Sequence, residues 1–207
     1  MFMADIFLPD LENNPKPGGL YAQSIQTLRS AGKEIPGILH LLAFKPKATD
    51  FLNQYTHEVM RGQSPLSPAF RELIATITSE GNECSYCRDA HGEAAAILFE
   101  KEGRVKKGKG HGFIGAVLEG DADLTGAEWA LLEFIVQVNL KAQEIDEHDI
   151  RKLHKAGWKD EAIYDATTVC SLFNFYNRWV GANGVAWKDE DSSQASGARI
   201  AQRGYIP

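Results

Sequence analysis

Apolar residues recur three and four positions apart along most of this chain, and nowhere do they alternate with polar residues over a sustained stretch. The first spacing puts apolar side chains on one face of an α-helix, whereas strict alternation would indicate a half-buried strand. The pattern therefore predicts an all-α fold with seven or eight helices.

Turn residues and caps set the expected helix boundaries in the first third of the chain. A short helix is predicted over Leu20–Ala31, after a turn-rich start, and another over Ile35–Leu42. Thr49 or Asp50 is the predicted N-cap of a third helix, which stops at Gly62. Three helices are therefore expected in the first third of the chain.

Two helices follow in close succession. Ser67 is the predicted N-cap of the first, with Pro68 at the first helical position, where its missing N–H costs nothing. This helix is expected to break at Gly81, and Asn82 is the predicted cap of the next one, which runs to about Glu100. Because so short a break separates them, the two helices are expected to lie close together.

The second half of the chain opens with residues 103–120, which are rich in glycine and contain a basic run. We interpret this stretch as a connector. Thr125 and Glu128 match a capping box at the start of a strong helix. Asp146 and Asp160 are the predicted N-caps of two further helices.

The domain organisation follows from these elements. Residues 1–187 are expected to form a single all-α domain, in which residues 1–34 are an N-terminal extension. From residue 188 the chain becomes polar and small. We interpret residues 188–207 as a polar tail that lies on the surface or reaches a neighbouring molecule.

Composition and charge exclude several classes of protein. With 43% apolar and 24% charged residues, the 207-residue chain is ordinary for a globular protein, not a disordered or disulfide-dense one. Its net charge of −6 argues against a general nucleic-acid binder, which needs a basic face. No stretch approaches the roughly 20 apolar residues of a membrane span, and the start lacks the basic region of a secretory signal. We expect a cytoplasmic protein with neither nucleic acid nor membrane as a partner.

The most informative feature is a pair of cysteines, Cys84 and Cys87, followed by His91. At about 100° per residue, these three side chains fall within about 60° of one another on a helix, so they face the same volume. Glu72 lies in the preceding helix, which can fold back against the cysteine helix. The pattern therefore indicates a dithiol, an imidazole and a carboxylate within reach of each other.

These residue types suit thiol redox chemistry. A cysteine attacks as its thiolate, so its pKa must fall from about 8.5 toward neutrality. The dipole at the helix N-terminus favours Cys84 as the thiolate but is worth under about 1 kcal/mol. Proximity to a base favours Cys87, because His91 can accept its proton while Glu72 orients the imidazole. We predict that Cys87 attacks and that Cys84 then closes a disulfide with it.

The arrangement Glu72-(x11)-Cys84-x-Tyr86-Cys87-(x3)-His91 resembles the core motif of the alkylhydroperoxidase D and carboxymuconolactone decarboxylase superfamily at every position. The resemblance implies an all-α multi-helix bundle, a homo-oligomer built as a trimer or hexamer, and thiol-dependent reduction of hydroperoxides. It assigns attack to Cys87, resolution to Cys84 and a proton relay to Glu72 and His91. The best-known alkylhydroperoxidase has a histidine where Tyr86 stands; a tyrosine can still donate a hydrogen bond.

A later helix extends the resemblance. Phe173, Asn174, Asn177 and Arg178 resemble a helix of the peroxidase-related branch, so that the likeness spans about residues 35–187. It implies a pocket or interface role for the two asparagines and the arginine. It also implies a dithiol reductant, such as a lipoyl-type carrier, and no cofactor.

Other interpretations stay open. A decarboxylase-like enzyme would use His91 as acid and base on a small acidic lactone, and a non-catalytic module would hold zinc with the same Cys, His and Glu side chains. A second pair of zinc ligands at knuckle spacing is missing, so we expect no metal.

Gly110–Gly115 reads as G-x-G-x-x-G, but the preceding residues are too polar for the strand of a dinucleotide site. Cys170, in an apolar helix, is expected to be buried.

Overall fold

The computed structural model describes residues 6–206. These residues form eleven α-helices and one 3-10 turn, Ala142–Glu144, and contain no β-strand, which confirms the all-α prediction with more helices than expected. The helices are α1 (Pro9–Glu12), α2 (Ala22–Ser30), α3 (Gly37–Phe44), α4 (Pro46–Arg61), α5 (Pro68–Gly81), α6 (Ser85–Lys101), α7 (Gly110–Glu119), α8 (Gly126–Lys141), α9 (Glu147–Lys155), α10 (Asp160–Ala182) and α11 (Glu190–Arg203).

The main core lies between α5, α6, α8 and α10. Leu73, Ile74, Leu131, Ile135 and Phe173 are at most 1% exposed. The most extensive helix contacts are those of α6 with α5 and with α11. The helix that carries the two cysteines therefore lies in the middle of the protein, with other helices packed around it.

Three predicted N-caps are confirmed by their hydrogen bonds. The Ser67 hydroxyl accepts the Phe70 N–H at 3.2 Å. Thr125 closes a capping box at the start of α8, and Asp146 closes one at the start of α9. These caps could be predicted because each depends on residues within three positions of each other.

The break between α5 and α6 differs from the prediction. Gly81 is the last residue of α5, Asn82 ends that helix instead of starting the next, and Cys84 is the N-cap of α6. The reversal is made at Glu83, which has a left-handed φ of 54°. A Cβ at Gly81 would lie 2.8 Å from the Asn139 amide nitrogen, so a larger residue there would displace the Asn139 side chain.

Two other helix starts were also predicted wrongly. α4 begins at Pro46, before the predicted caps, and the Thr49 hydroxyl donates to the Leu42 carbonyl. Asp50 accepts the backbone N–H of Leu20 at 3.0 Å, so it fixes the N-terminal extension. Asp160 is the first residue of α10 and not its cap.

The predicted connector at residues 103–120 is wrong, because residues 110–119 form helix α7. The Gly110 N–H donates to the Glu100 carboxylate at 2.7 Å, and a Cβ at Gly110 would lie 2.5 Å from the Ala96 carbonyl oxygen. Glycine therefore allows close approach to α6, and the G-x-G-x-x-G stretch is part of a helix.

Residues 190–203 form helix α11, although the sequence there reads as a polar tail. Its buried residues have helical spacing but are mostly small: Ser193, Gly197, Ile200 and Ala201. A Cβ at Gly197 would lie 2.6 Å from the Ala90 carbonyl oxygen, so α11 packs tightly on α6. The hydrophobic signal is weak because close contact here depends on small side chains.

The surface keeps several large apolar side chains exposed. Phe7, Phe51 and Tyr164 are each more than 70% exposed. Homo-oligomer formation, which would cover such residues, stays a prediction. None of the described helices is long and apolar enough to span a bilayer.

Candidate active site

The two cysteines lie at the start of α6 and differ in burial. Cys84 is half-buried at the N-cap, whereas Cys87 is 5% exposed in the first turn. Both are free thiols, and the Asn177 side chain hydrogen-bonds with the pair. One thiol is therefore accessible from outside while the other faces the interior.

The thiols are electrostatically unequal. A hydrogen bond donated by Cys87 lowers the pKa of Cys84 to about 6, against the opposing effect of burial, and the Asn177 amide assists. That hydrogen bond raises the pKa of Cys87 well above its usual range, as does its own burial. At neutral pH the pair therefore holds one proton and one negative charge, with the charge on Cys84.

Glu72 and His91 meet in the interior, between α5 and α6. Glu72 is fully buried, and its Oε2 lies 2.7 Å from His91 Nδ1. Because a carboxylate only accepts, Nδ1 carries the hydrogen and Nε2 is the nitrogen left to exchange a proton. The edge of the imidazole packs on Phe173, with ring centroids 4.4 Å apart. The structure thus brings together the acid–base pair that the sequence motif indicates.

Two further residues, which sequence reasoning missed, bind the same carboxylate. An Arg61 guanidinium nitrogen lies 2.5 Å from Glu72 Oε1. The Tyr205 hydroxyl lies 2.8 Å from Oε1 and 3.0 Å from Oε2. Arg61 reads in the sequence as an ordinary basic residue at a helix end, and the only signal for Tyr205 is an aromatic residue in a polar stretch.

The charge of this cluster is set by competing effects. Burial acts to raise the pKa of Glu72, but the hydrogen bond from His91 and the charges of His91 and Arg61 hold it below its ordinary value. Burial and the Glu72 charge raise the pKa of Tyr205 well above its usual range. Glu72 is therefore ionised and Tyr205 is a neutral hydrogen-bond donor.

A cavity of about 70 Å³ adjoins these groups and is lined by Cys87, His91 and Tyr205, among others. It shares Arg199 and five other residues with an outer groove of about 850 Å³, beside α2 and α11. The described residues that line the cavity include Arg199 but no carboxylate. The arrangement suits a substrate molecule in two parts. Its small reactive group, with acceptor oxygens, lies in the cavity, and the larger remainder of the molecule lies in the outer groove.

Tyr86 forms part of the cavity wall. Its hydroxyl accepts the Ile38 N–H at 3.3 Å, and its ring stacks on Trp187 with centroids 3.9 Å apart. Trp187 Nε1 also donates to the Tyr86 carbonyl oxygen at 2.9 Å. Burial raises the pKa of Tyr86, so the phenol stays neutral. These contacts hold Tyr86 firmly in place.

Asn174, Asn177 and Arg178 do not line the cavity. Asn177 donates to the Ser79 hydroxyl at 2.9 Å, in addition to contacting the thiols. Asn174 accepts a bond from Arg178 at 2.5 Å. The structure thus places Asn177 at the cysteines and the other two in a hydrogen-bonded cluster beside them.

No group of three or more metal-binding side chains within residues 6–206 is arranged to hold a metal ion. The Glu72 carboxylate instead receives bonds from Arg61, His91 and Tyr205. This is the environment of a charged acceptor rather than of a metal ligand.

Comparison with known proteins agrees with this geometry. Residues 46–101 match the carboxymuconolactone decarboxylase family model, which spans α4, α5 and α6. An uncharacterized peroxidase-related protein with an alkylhydroperoxidase AhpD core, from Ralstonia eutropha JMP134, is similar over 95% of this chain and 98% of that chain, with 26% identity and a TM-score of 0.73. An uncharacterized peroxidase-related protein from Silicibacter sp. TM1040 has 25% identity and a TM-score of 0.68 over 84% of this chain and 89% of that chain.

The debrominase Bmp8 shares the fold, with 18% identity and a TM-score of 0.62 over 91% of this chain and 99% of its own. Among curated proteins no sequence match is found. The helices that carry Glu72, the cysteines and His91 therefore match the carboxymuconolactone decarboxylase family model, and the whole chain is similar in structure to two peroxidase-related proteins.

Proposed function

We propose that this protein is a thiol-dependent peroxidase that reduces alkyl hydroperoxides with Cys84 and Cys87. The observation that carries the proposal is the joint placement of Cys87 and His91 on one small cavity, with Glu72 bound to the far side of the imidazole. A thiol pair that loses its first proton at about pH 6 supports it further.

In the first step the Cys87 sulphur attacks the terminal oxygen of the hydroperoxide and the O–O bond breaks. The Cys87 proton passes to the Cys84 thiolate, to which it is already hydrogen-bonded. The leaving alkoxide takes a proton that His91 Nε2 relays from solvent, and departs as the alcohol. Cys87 is then a sulfenic acid, the first oxidation product of a thiol.

In the second step Cys84 attacks the Cys87 sulphur and a disulfide forms. The sulfenic oxygen leaves as water, with the Cys84 proton delivered through His91. Two electrons have then moved from the two thiols to the peroxide. A dithiol reductant, such as a lipoyl-type carrier, reopens the disulfide, and half-buried Cys84 is the sulphur that it can reach.

One equivalent of hydroperoxide is expected to convert Cys84 and Cys87 to a disulfide while Cys170 stays a free thiol. Cys170 is fully buried in α10, and burial raises its pKa, so little thiolate is present there. Peptide mapping by mass spectrometry, with and without peroxide, measures this directly. Unchanged thiols, or a bridge that involves Cys170, would contradict the proposal.

The rate of thiol alkylation is expected to rise with pH through a midpoint of about 6, because that is the pKa of Cys84. The thiolate is the reactive form, so the rate falls on acidification and levels off above the midpoint. Iodoacetamide kinetics from pH 4 to 9 in a Cys170→Ala background test this. The matched Cys84→Ser variant should react only at much higher pH, since burial raises the pKa of Cys87; a parent midpoint near the ordinary value of 9.0 would refute the assignment.

A further inference from the structure

The C-terminal segment enters the site through Gly204 and Tyr205. The Tyr205 N–H donates to His57 at 3.3 Å, and the Tyr21 hydroxyl donates to the Tyr205 carbonyl oxygen at 2.5 Å. The Arg61 guanidinium lies 5.3 Å from the centre of the Tyr205 ring. Residues from α4 and from the N-terminal part of the chain thus hold this tyrosine in place.

Gly204 permits this entry. Its φ is 71°, and a Cβ would lie 2.9 Å from the His57 ring and 3.2 Å from an Arg61 side-chain carbon. A left-handed conformation in so close a space is available at little cost only to glycine. The turn that follows α11 therefore directs Tyr205 inward instead of to solvent.

The Tyr205 hydroxyl bridges both oxygens of Glu72, at 2.8 and 3.0 Å. It also lies 3.2 Å from His91 Nδ1, because both donors point to the same carboxylate. The terminal torsion of a glutamate is broad when nothing restrains it. A donor that bridges both oxygens restrains this torsion, and so keeps Oε2 aimed at the imidazole.

We infer that Tyr205 is a positioning residue of the Glu72–His91 relay, and that the C-terminal segment completes the active site. The inference rests on the proposed peroxidase function. It makes catalysis dependent on the docking of residues 204 and 205, which lie far from the cysteine motif in the sequence. Tyr205 acts on the reaction through Glu72 and His91.

Tyr205→Phe is expected to slow peroxide-driven thiol oxidation about tenfold. General acid–base catalysis contributes roughly 100- to 10,000-fold, and here the relay is loosened and not removed. With one donor fewer, Glu72 holds the His91 proton more tightly. The pH of half-maximal rate is therefore expected to move upward, a change that a packing role alone would not produce.

The experiment uses the full-length protein and compares the parent, Tyr205→Phe, Glu72→Gln and the control Tyr164→Phe, whose tyrosine is 71% exposed. Stopped-flow peroxide kinetics from pH 5 to 9 and thermal unfolding are measured for each. The control should match the parent, and Glu72→Gln should be slower than Tyr205→Phe.

The outcomes separate the two proposals. If Glu72→Gln is impaired while Tyr205→Phe keeps the parent rate, or slows with an unchanged pH midpoint, the inference about Tyr205 is wrong and the peroxidase stands. If Glu72→Gln also keeps the parent rate, the relay in the proposed function is wrong. If Tyr205→Phe unfolds, Tyr21→Phe serves instead. The Tyr21→Phe variant keeps the Tyr205 hydroxyl but removes the hydrogen bond to the Tyr205 carbonyl oxygen. The pH of half-maximal rate is then expected to move upward by a smaller amount, and an unchanged pH would overturn the inference.

Discussion

Glu72→Ala is expected to lower the free energy of unfolding by about 3–5 kcal/mol, the usual cost of breaking a buried ion pair from one side. It leaves the Arg61 guanidinium, whose side chain is only 14% exposed, without its carboxylate. His91 and Tyr205 lose their acceptor at the same time. The variant should also lose peroxide consumption, because the imidazole is no longer oriented.

The matched control is Glu80→Ala, in the same helix. Glu80 is paired with Arg88 at the surface, where its side chain is 49% exposed, and such pairs contribute only about 0–1 kcal/mol. Urea unfolding at pH 7 measures both variants. Equal stabilities of the two would show that the buried cluster does not stabilise the fold.

The loss should also depend on pH. The pKa of Glu72 in the folded protein lies below its ordinary value of 4.5, so its stabilising effect is present at neutral pH and is lost as the pH falls through the folded pKa. The difference between the parent and Glu72→Ala should therefore shrink below about pH 4.5. A difference that grows on acidification would mean that the carboxyl is neutral in the folded protein.

Cys87→Ser is expected to lower peroxide consumption by more than about 100-fold, because the attacking sulphur in the cavity is lost. Cys84→Ser should still allow one attack, which leaves Cys87 as a sulfenic acid with no thiol to close on. That attack should be slow and need higher pH, since burial raises the pKa of Cys87. Rapid mixing with peroxide and a sulfenic-acid probe distinguishes the two variants, with Cys170→Ala as the control.

The opposite result would have a clear physical meaning. The charge of the resting pair lies on Cys84, contrary to the thiolate that proximity to His91 predicts for Cys87. What assigns attack to Cys87 is its position on the cavity beside His91. If Cys84→Ser were inactive and Cys87→Ser formed the sulfenic acid, the more acidic sulphur would be the nucleophile. The roles would then reverse while the peroxidase proposal stood.

Local sequence was sufficient for the cysteine helix and its acid–base pair. Cys84, Cys87 and His91 lie within eight residues, so helical periodicity alone places them on one face. Glu72 could be added because only a short break separates its helix from α6. The Ser67 cap was predictable for the same reason, since its partner is three residues away.

Tertiary structure decided what completes the site. Arg61 and Tyr205 reach Glu72 from opposite parts of the chain, the latter across 133 positions. No periodicity encodes a contact at that separation, and the helix that carries Tyr205 to the site packs through small residues such as Gly197. The sequence by itself therefore determined the reactive helix and its nearest partner, Glu72. Distant side chains that share the same buried space decide the rest: the charge on Glu72, the inequality of the two thiols and the closure of the cavity.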